Sequence, residues 1–554
     1  MGKSSFEAAL WGGFSASSLK RLGERAARSS HDELSFTWAR TRTHYALGEN
    51  DDALAWLERT REIGSWRREP VDLALYRCEL LSALGRNDEA VATARTLHER
   101  FGGDPVILLA LASAYASAGA PSETVVGVLN QIYRDAGLAD LRVRSAYDRA
   151  TLQNLAPGSL SSGTTTETRF SNRLCSDPLV SVIMPTHNAQ GTIGYAMRSV
   201  LDQTEQRLEL IVVNDASTDG SRIVAERIAS RDTRVRIIDL DRNAGTYAAR
   251  NLGLAEARGR FTTVNDADDW SHPERLAVQL RDLDNGVRFN TTSGVPVRFD
   301  LRLSPHPRGA RCIRENLSSL MIRTDDLRAA GGWDTVRFGA DSELYERLKV
   351  RHRQGRRRIH RSVPLSFLLR SEGSLTAAQY TGAWSSRFGA RREYKDSYRD
   401  WHARTAKPVM LRSPRPFPVP AIAVVPEPNE YKFDLLIIGD LCIAPHSTVM
   451  DEAEATEAVG VLHVPSLTTI DASVAPLVRE RLRRCRWHAI VPGEGAIVEQ
   501  TVVTSLGPIQ DPPDLWPKLR SRRASVYAAN SVPDPSMLEA AKRLFDNEAE
   551  ITFV

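Results

Sequence analysis

Apolar and polar residues alternate in three different rhythms along this chain. Up to about residue 150 the pattern reads as successive helices. From about 178 to 400 short, continuous apolar runs at 180–184, 208–213, 235–238 and 260–264 alternate with helical stretches at 195–201, 223–228 and 248–257. Continuous rather than alternating apolar strands, separated by helices, predict a parallel sheet covered on both faces. After about 430 the alternation resumes, with strands expected at 433–438, 461–464, 489–491, 501–504 and 525–528 and helices at 452–458, 474–484 and 536–545. That predicts a second, smaller α/β unit. It lacks a glycine-rich phosphate loop of the GxGxxG or GxxxxGK type.

Two polar breaks separate these rhythms. Residues 157–166 are rich in Gly, Ser and Thr, as flexible linkers are. Pro408, Pro414, Pro416, Pro418, Pro420, Pro426 and Pro428 form a connector expected to be stiff and extended. The division that follows is helices at 1–155, a linker at 156–177, an α/β domain at 178–404, a proline-rich linker at 405–430 and a small α/β domain at 431–554.

Composition changes this picture little. A length of 554 residues predicts several domains, and 42% hydrophobic with 26% charged residues suits large buried cores. A net charge of only +4 gives no argument for a nucleic-acid partner. The five cysteines (Cys78, Cys175, Cys312, Cys442, Cys485) stand singly, without zinc-ligand spacing, as in a reducing compartment. Residues 1–30 show no apolar signal core, and Phe6 stands where a myristoylation site wants Ser or Thr. No uncharged apolar stretch approaches the ~18 residues of a membrane span. A cytoplasmic protein is expected. The basic run 351–361 is read as a solvated loop, with peripheral contact to a membrane or an anionic acceptor as its functional alternative.

Candidate chemistry gathers at the ends of the predicted strands. In parallel α/β sheets ligands bind off the carboxyl ends of the strands, and Thr186, Asp215 and the cluster Asp266, Asp268, Asp269 all fall there. Three carboxylates in four positions repel one another unless a cation sits among them, and hard oxygen ligands suit Mg²⁺ or Mn²⁺ shared with substrate phosphates. Asp215 could accept a hydrogen bond from a nucleobase ring N–H. Arg250, on the helix after Gly245, could reach a diphosphate, since Arg suits oxyanions.

Two resemblances sharpen these readings. Gly48, Gly85 and Gly119 each sit between helical stretches, with Ala53, Ala90 and Thr124 five positions on. This resembles tetratricopeptide repeats, which implies either a groove for a protein partner or a helical brace for the next domain. The second block carries Val182-Ile183-Met184-Pro185-Thr186-His187-Asn188, Asn214-Asp215-Ala216-Ser217-Thr218-Asp219-Gly220-Ser221, and Asn243-Ala244-Gly245 followed by Ala249-Arg250-Asn251. It also carries the acidic cluster, Gly331-Gly332-Trp333-Asp334 and Asp341-Ser342-Glu343-Leu344. From 178 to about 370 it resembles the family 2 glycosyltransferases, inverting enzymes of the GT-A fold.

That resemblance implies a multidomain chain in which a helical-repeat domain precedes a GT-A type α/β domain and a small Rossmann-like one. It assigns the nucleobase to Asp215, with Thr186 in the same pocket. The DxD register is either Asp266-Ala267-Asp268 or Asp268 with Asp269. The second is favoured, with Asp268 facing the ribose, Asp269 on the metal and Asp266 as the weaker ligand. Asp341 aligns with the catalytic base and Glu343 with an acidic residue two positions on. Ala340 departs from the family pattern, where many members have Glu. Trp333 would pack against the acceptor sugar or in the core. The implied partners are a UDP-sugar donor, Mn²⁺ or Mg²⁺, and a glycan or lipid-linked acceptor in surface polysaccharide synthesis. The alternative is a scaffold that has lost turnover and recruits partners through its outer domains. The last block vaguely resembles the first half of a two-domain GT-B glycosyltransferase, which implies a docking or acceptor-binding module.

Overall fold

The computed structural model describes residues 8–64, 70–145, 149–158, 179–304, 312–352, 356–370, 387–411, 413–427, 430–484, 487–527, 535–545 and 549–554, with only the backbone at Ser30, His31 and Ser536. Among them no helix is long and apolar enough to cross a membrane.

The first block holds α1 (Ser15–Ala26), α2 (Ser30–Leu47), α3 (Asn50–Ile63), α4 (Val71–Ala83), α5 (Asn87–Phe101), α6 (Pro105–Ser117) and α7 (Ser122–Asp135). Gly48, Gly85 and Gly119 end α2, α4 and α6 with φ of 80°, 74° and 70°. After each, the next residue's N–H turns back onto the final helical turn (Glu49 to His44, Arg86 to Leu81, Ala120 to Tyr115). This is the left-handed stop that glycine makes cheaply. The small residues expected after the turns are buried at Ala53 and Ala90. At the third turn Thr124 is exposed and Val125 fills that place instead. The helical reading also missed a short antiparallel pair, β1 (Leu141–Val143) with β2 (Leu155–Pro157). Three-residue strands are too short to show a period. The expected linker lies mostly outside the described residues.

The middle block contains β3 (Val180–Thr186), α8 (Ile193–Leu201), β4 (Leu208–Asn214), α9 (Ser221–Ala229), β5 (Val235–Asp239), α10 (Thr246–Glu256) and β6 (Phe261–Val264). There follow β7 (Trp270–Ser271), α11 (Arg275–Asp284), β8 (Phe289–Val297), β9 (Arg314–Arg323), α12 (Thr324–Ala329), α13 (Ala340–Arg351), β10 (Arg356–Arg358), β11 (Pro364–Leu369) and α14 (Ala390–Arg404). The sheet order is β5-β4-β3-β6-β9-β8-β11-β7, with β10 beside β8. Every residue of β3 and β4 is buried, which is why they read as unbroken apolar runs. The expectation of a parallel sheet holds for β5, β4, β3 and β6, and again where β10 and β11 pair with β8. β9 runs antiparallel to β6 and β8, and β7 antiparallel to β11, so the sheet is mixed. Strand direction follows from the connections, which apolar pattern does not record. α10 lies close on β3 because residue 253 is glycine: a Cβ there would stand 2.6 Å from Ile183 Cγ2.

The last block is a parallel sheet of β12 (Tyr431–Gly439), β13 (Val459–His463), β14 (Trp487–Ala489), β15 (Gly495–Val503), β16 (Lys518–Val526) and β17 (Glu550–Phe553). Its helices are α15 (Ser447–Ala455), α16 (Pro476–Arg483), α17 (Gly507–Gln510) and α18 (Pro535–Arg543). The order β14-β13-β12-β15-β16-β17 is the doubly wound arrangement, reversing between β12 and β15. The half-exposed β17 carries no apolar run and was not foreseen.

The proline-rich connector is a packed strap rather than a free spacer. Met410, Phe417, Ile422 and Ala423 are buried in the core that also holds Trp333 and Tyr394. Met410 N–H donates to Ala330 O at 3.0 Å, and Arg415 pairs with Asp334 at 3.0 Å. Proline leaves apolar neighbours free to dock while removing N–H groups that burial would orphan. The chain then closes on itself. Ser15 N–H and Ala16 N–H donate to Asp514 at 2.7 and 3.0 Å, so the last block caps α1 across nearly the whole sequence. Arg21 with Asp511 and the Phe14–Phe388 ring contact extend this joint.

Candidate active site

The turns after β3 and β4 form one rim. Asn188 and Ala216, with φ of 49° and 52°, stand left-handed beside Thr186 and Asp215. Non-glycine residues are uncommon there, and such positions cluster at functional sites. Thr186 is buried, and its carbonyl accepts from Asp215 N–H at 2.8 Å. Both Asp215 carboxylate oxygens accept backbone N–H groups across the rim, from Ala244 at 2.7 Å and Gly245 at 2.9 Å. Asp215 therefore fixes the 243–245 turn at the start of α10. It does not cap α9; Asp219 accepts from Ser221 N–H there at 2.9 Å.

That turn launches the helix carrying Arg250, whose guanidinium is the hub of the site. Its Nη1 donates to Asp341 at 2.5 Å and its Nη2 to Asp266 at 2.6 Å. The group lies over the Tyr247 ring at 5.2 Å and near Trp333 at 5.9 Å. Burial opposes its charge, but Asp266 and Asp341 outweigh burial and raise its pKa. Arg250 is thus neither a solvated helix residue nor free for an oxyanion: two carboxylates hold it.

Asp341 sits in the first turn of α13, whose N-cap is Gly339, so it is not the cap. Its carboxylate accepts from Arg250, from Trp333 Nε1 at 3.3 Å and from Tyr247 OH at 3.2 Å. Trp333 is a core residue whose indole N–H orients Asp341, and its backbone is held on both sides by the Asn251 amide. Glu343 points the other way, fully buried against Arg347 at 2.9 Å and His402 at 3.0 Å. Arg347 in turn donates to the carbonyls of Ala330 and Gly332. Glu343 supports the Gly-Gly turn from below. Removing one partner of such a buried pair costs about 3–5 kcal/mol.

The acidic cluster follows β6. Asp266 is satisfied by Arg250 and by Ser318 Oγ at 2.9 Å. The Asp269 carboxylate accepts a bond from Leu369 N–H at 3.2 Å. Burial, then Asp266, push the Asp268 carboxyl up to about 6. Burial, then Asp268 and Asp266, push Asp269 up as well. Arg250 is spent on Asp266 and Asp341 rather than on Asp268 or Asp269. Carboxylates destabilised by burial and by one another are what a divalent cation relieves, so the donor set fits Mg²⁺ or Mn²⁺. The fit is better at Asp268 and Asp269 than at Asp266, which is already paired.

Residues 181–337 match the family described as Glycosyl transferase family 2. The chain carries a family 2 glycosyltransferase domain. Among curated proteins, TuaG of Bacillus subtilis, whose name places it in teichuronic acid biosynthesis, is 41% identical over 103 residues, 19% of this chain and 41% of TuaG. The succinoglycan biosynthesis protein ExoO of Rhizobium meliloti is 39% identical over 107 residues, 19% of this chain and 30% of ExoO. The chain thus spans less than half the length of these relatives. Among solved structures, S. aureus TarS 1-349 in complex with UDP-GlcNAc has a TM-score of 0.31 at 20% identity, over 36% of this chain and 61% of that one. The mannosyltransferase PcManGT from Pyrobaculum calidifontis, in complex with GDP-Man and Mn2+, has a TM-score of 0.28 at 20% identity, over 41% and 62%.

Within the family 2 domain, sequence reasoning missed Tyr247, Ser318 and Arg275. Arg275 is buried behind the acidic cluster, where Nη1 donates to Val264 O at 3.2 Å. Tyr247 could have been found from its position three residues before Arg250, on the same helix face. Ser318 had no signal. The basic run is partly ordered strand: Arg357 pairs with Asp282 at 2.9 Å and Arg358 donates to Ser293 Oγ at 3.0 Å. Residues 353–355 of that run lie outside the described residues.

Proposed function

We propose that the family 2 domain transfers a glycosyl group from a nucleoside diphosphate sugar, with uridine diphosphate leaving, to a hydroxyl of a glycan or lipid-linked acceptor, inverting the anomeric carbon. The carrying observation is that one guanidinium, Arg250, touches both the acidic cluster at Asp266 and the candidate base Asp341. Donor and acceptor ends of a transfer site then lie side by side. The names of TuaG and ExoO support surface polysaccharide synthesis as the setting.

In this reading Asp341 takes the proton of the acceptor hydroxyl as its oxygen attacks the anomeric carbon. Trp333, Tyr247 and Arg250 aim its carboxylate. Asp215 and Thr186 line the nucleobase pocket, and Asp215 also fixes the turn that places Arg250. Asp268 faces the ribose, and Asp269, with Asp266 in support, would hold the ion. A bound Mg²⁺ or Mn²⁺ supplies Lewis-acid neutralisation of the leaving diphosphate. The protein acts at the cytoplasmic side, and contact with a membrane surface would run through the basic residues near β10.

Calorimetry with UDP, with and without Mn²⁺, tests donor binding. A donor screen by nucleotide release identifies the sugar. In Asp341→Asn turnover should fall about 10²- to 10⁴-fold while UDP binding persists; retained turnover overturns the assignment of the base. Absence of metal-dependent UDP binding in the unaltered protein favours the scaffold reading instead.

A further inference from the structure

The helical block grips the middle block at two places that lead to the acidic cluster. Beyond the cluster, three residues after Asp269, the backbone of Ala139 makes a two-point clamp. Its carbonyl accepts from His272 Nε2 at 3.0 Å, and its N–H donates to Glu274 Oε2 at 2.5 Å. The His272 tautomer is fixed, because Nδ1 accepts from Glu274 N–H at 3.2 Å and Nε2 must carry the proton. The ring lies against Tyr133 of α7, with centroids 4.4 Å apart. Tyr133 OH then donates to Pro364 O, at the start of β11, at 3.1 Å. β11 pairs with β7, and its Leu369 N–H donates to Asp269. One tyrosine therefore touches β11 and the residue that directly follows β7.

The clamp is built rather than incidental. The loop that presents Ala139 is pinned to α7 by Asn130, whose amide donates to Leu141 O at 2.9 Å and accepts Leu141 N–H at 2.7 Å. Tyr133, His272 and Ala139 are all buried. A second grip runs through Ser113 and Leu152. Leu303 N–H donates to Ser113 Oγ at 3.0 Å, and Leu152 N–H to Phe299 O at 3.0 Å. The Phe299 ring meets Tyr195, whose OH donates to Asp268 O at 2.7 Å. Leu301 and Leu303 are buried in the same core as α4, α6 and α7.

We propose that the helical block is a positioning element for the acidic cluster, acting through the contacts of Tyr133, His272 and Glu274. This rests on reading the cluster as the metal and donor site. A binding site works only if its ligating groups are held near productive geometry by packed neighbours. Asp268 and Asp269 repel each other, so without that hold they would splay apart.

The test compares the full chain, a Tyr133→Phe/His272→Phe double variant and Leu57→Ala. Leu57 is buried in the helical block away from the clamp. Two readouts are taken: amide hydrogen exchange over residues 265–272, and the Mn²⁺ concentration giving half-maximal UDP binding. In the double variant exchange should quicken and half-saturation rise about tenfold, with binding recovered at saturating Mn²⁺. Leu57→Ala should lower stability and move neither. Unchanged exchange and half-saturation in the double variant, or equal shifts in Leu57→Ala, overturn the proposal. If the double variant does not fold, Tyr133→Phe, which removes one hydroxyl, is judged on the same readouts. If the unaltered chain binds UDP regardless of Mn²⁺, the transferase reading fails. Exchange over 265–272 then decides alone, quickening for the proposal and constancy against it.

Discussion

Asp215 at the end of β4 and Asp440 just beyond the end of β12 occupy the same place in two sheets: each follows an apolar parallel strand. Around Asp440 every polar group is answered locally. It accepts from Cys442 N–H at 3.3 Å, Ser466 N–H at 3.1 Å and the Thr469 hydroxyl. Burial opposes its charge, but the bonds from Thr469, Cys442 and Ser466 hold its pKa below the usual value. Neighbouring His463 accepts Leu441 N–H on Nδ1 at 3.1 Å, so Nε2, 3.8 Å from Cys442 Sγ, keeps its proton and is a poor metal ligand. α14 of the middle block roofs this rim, with Arg392 donating to the carbonyls of Ile470 and Ala472 and Glu393 pairing with Arg479. At the other rim Asp215 and Asp266 are also satisfied, whereas burial and neighbouring carboxylates push the half-buried Asp268 and Asp269 up. A strand-end aspartate is therefore no guide by itself. Carboxylates pushed up by burial and by one another are a better guide, and they distinguish the rim proposed to bind a donor from the one packed against its neighbouring domain.

The comparison breaks most visibly at the acidic cluster. Asp269→Asn should abolish Mn²⁺-dependent UDP binding by calorimetry while leaving the fold intact, because it relieves repulsion as it removes a ligand. If the variant still binds UDP in an Mn²⁺-dependent way, Asp269 is not the metal residue. At the other rim the expectation is reversed. Asp440→Ala leaves three donors unanswered and should lower unfolding free energy by about 1–3 kcal/mol in urea denaturation, with turnover unchanged.

A pH measurement sharpens the joint between the two blocks. Burial pushes the Glu494 carboxyl up to about 7, against bonds from Ile422 N–H of the strap and Val491 N–H. A carboxyl raised in the folded state binds more protons there than in the unfolded chain. Stability should then fall as pH rises from about 4.5 to about 7, by a few kcal/mol at most. In Glu494→Gln that slope should flatten, as followed by denaturation at several pH values. The smallest effect belongs to the closing contact. Asp514→Ala removes the cap of α1 and should cost about 1 kcal/mol, read from the thermal midpoint.

Much of this arrangement is legible in the residues. The buried strands β3, β4 and β6 announce themselves as apolar runs, and the glycines at 48, 85 and 119 mark helix stops because only that residue turns left-handed without cost. The rim positions Thr186, Asp215 and the acidic cluster follow from the ends of those runs. The strap was misread because prolines suggest a spacer, while the docking of Met410, Phe417 and Ile422 depends on a surface that includes Ala330, Trp333 and Asp334, far upstream of it. Glu343 was aligned with the site, yet its side chain faces His402 and Arg347.

What the sequence determined alone is the order of elements and the family resemblance, since apolar periodicity and turn chemistry are local. Only the tertiary structure decided which carboxylates are spoken for, which way β9 runs and what the helices brace. Arg250 meets Asp266 and Asp341 at separations of 16 and 91 positions. The chemistry of a carboxylate is set by charges and donors within a few ångströms, and those neighbours are chosen by the fold.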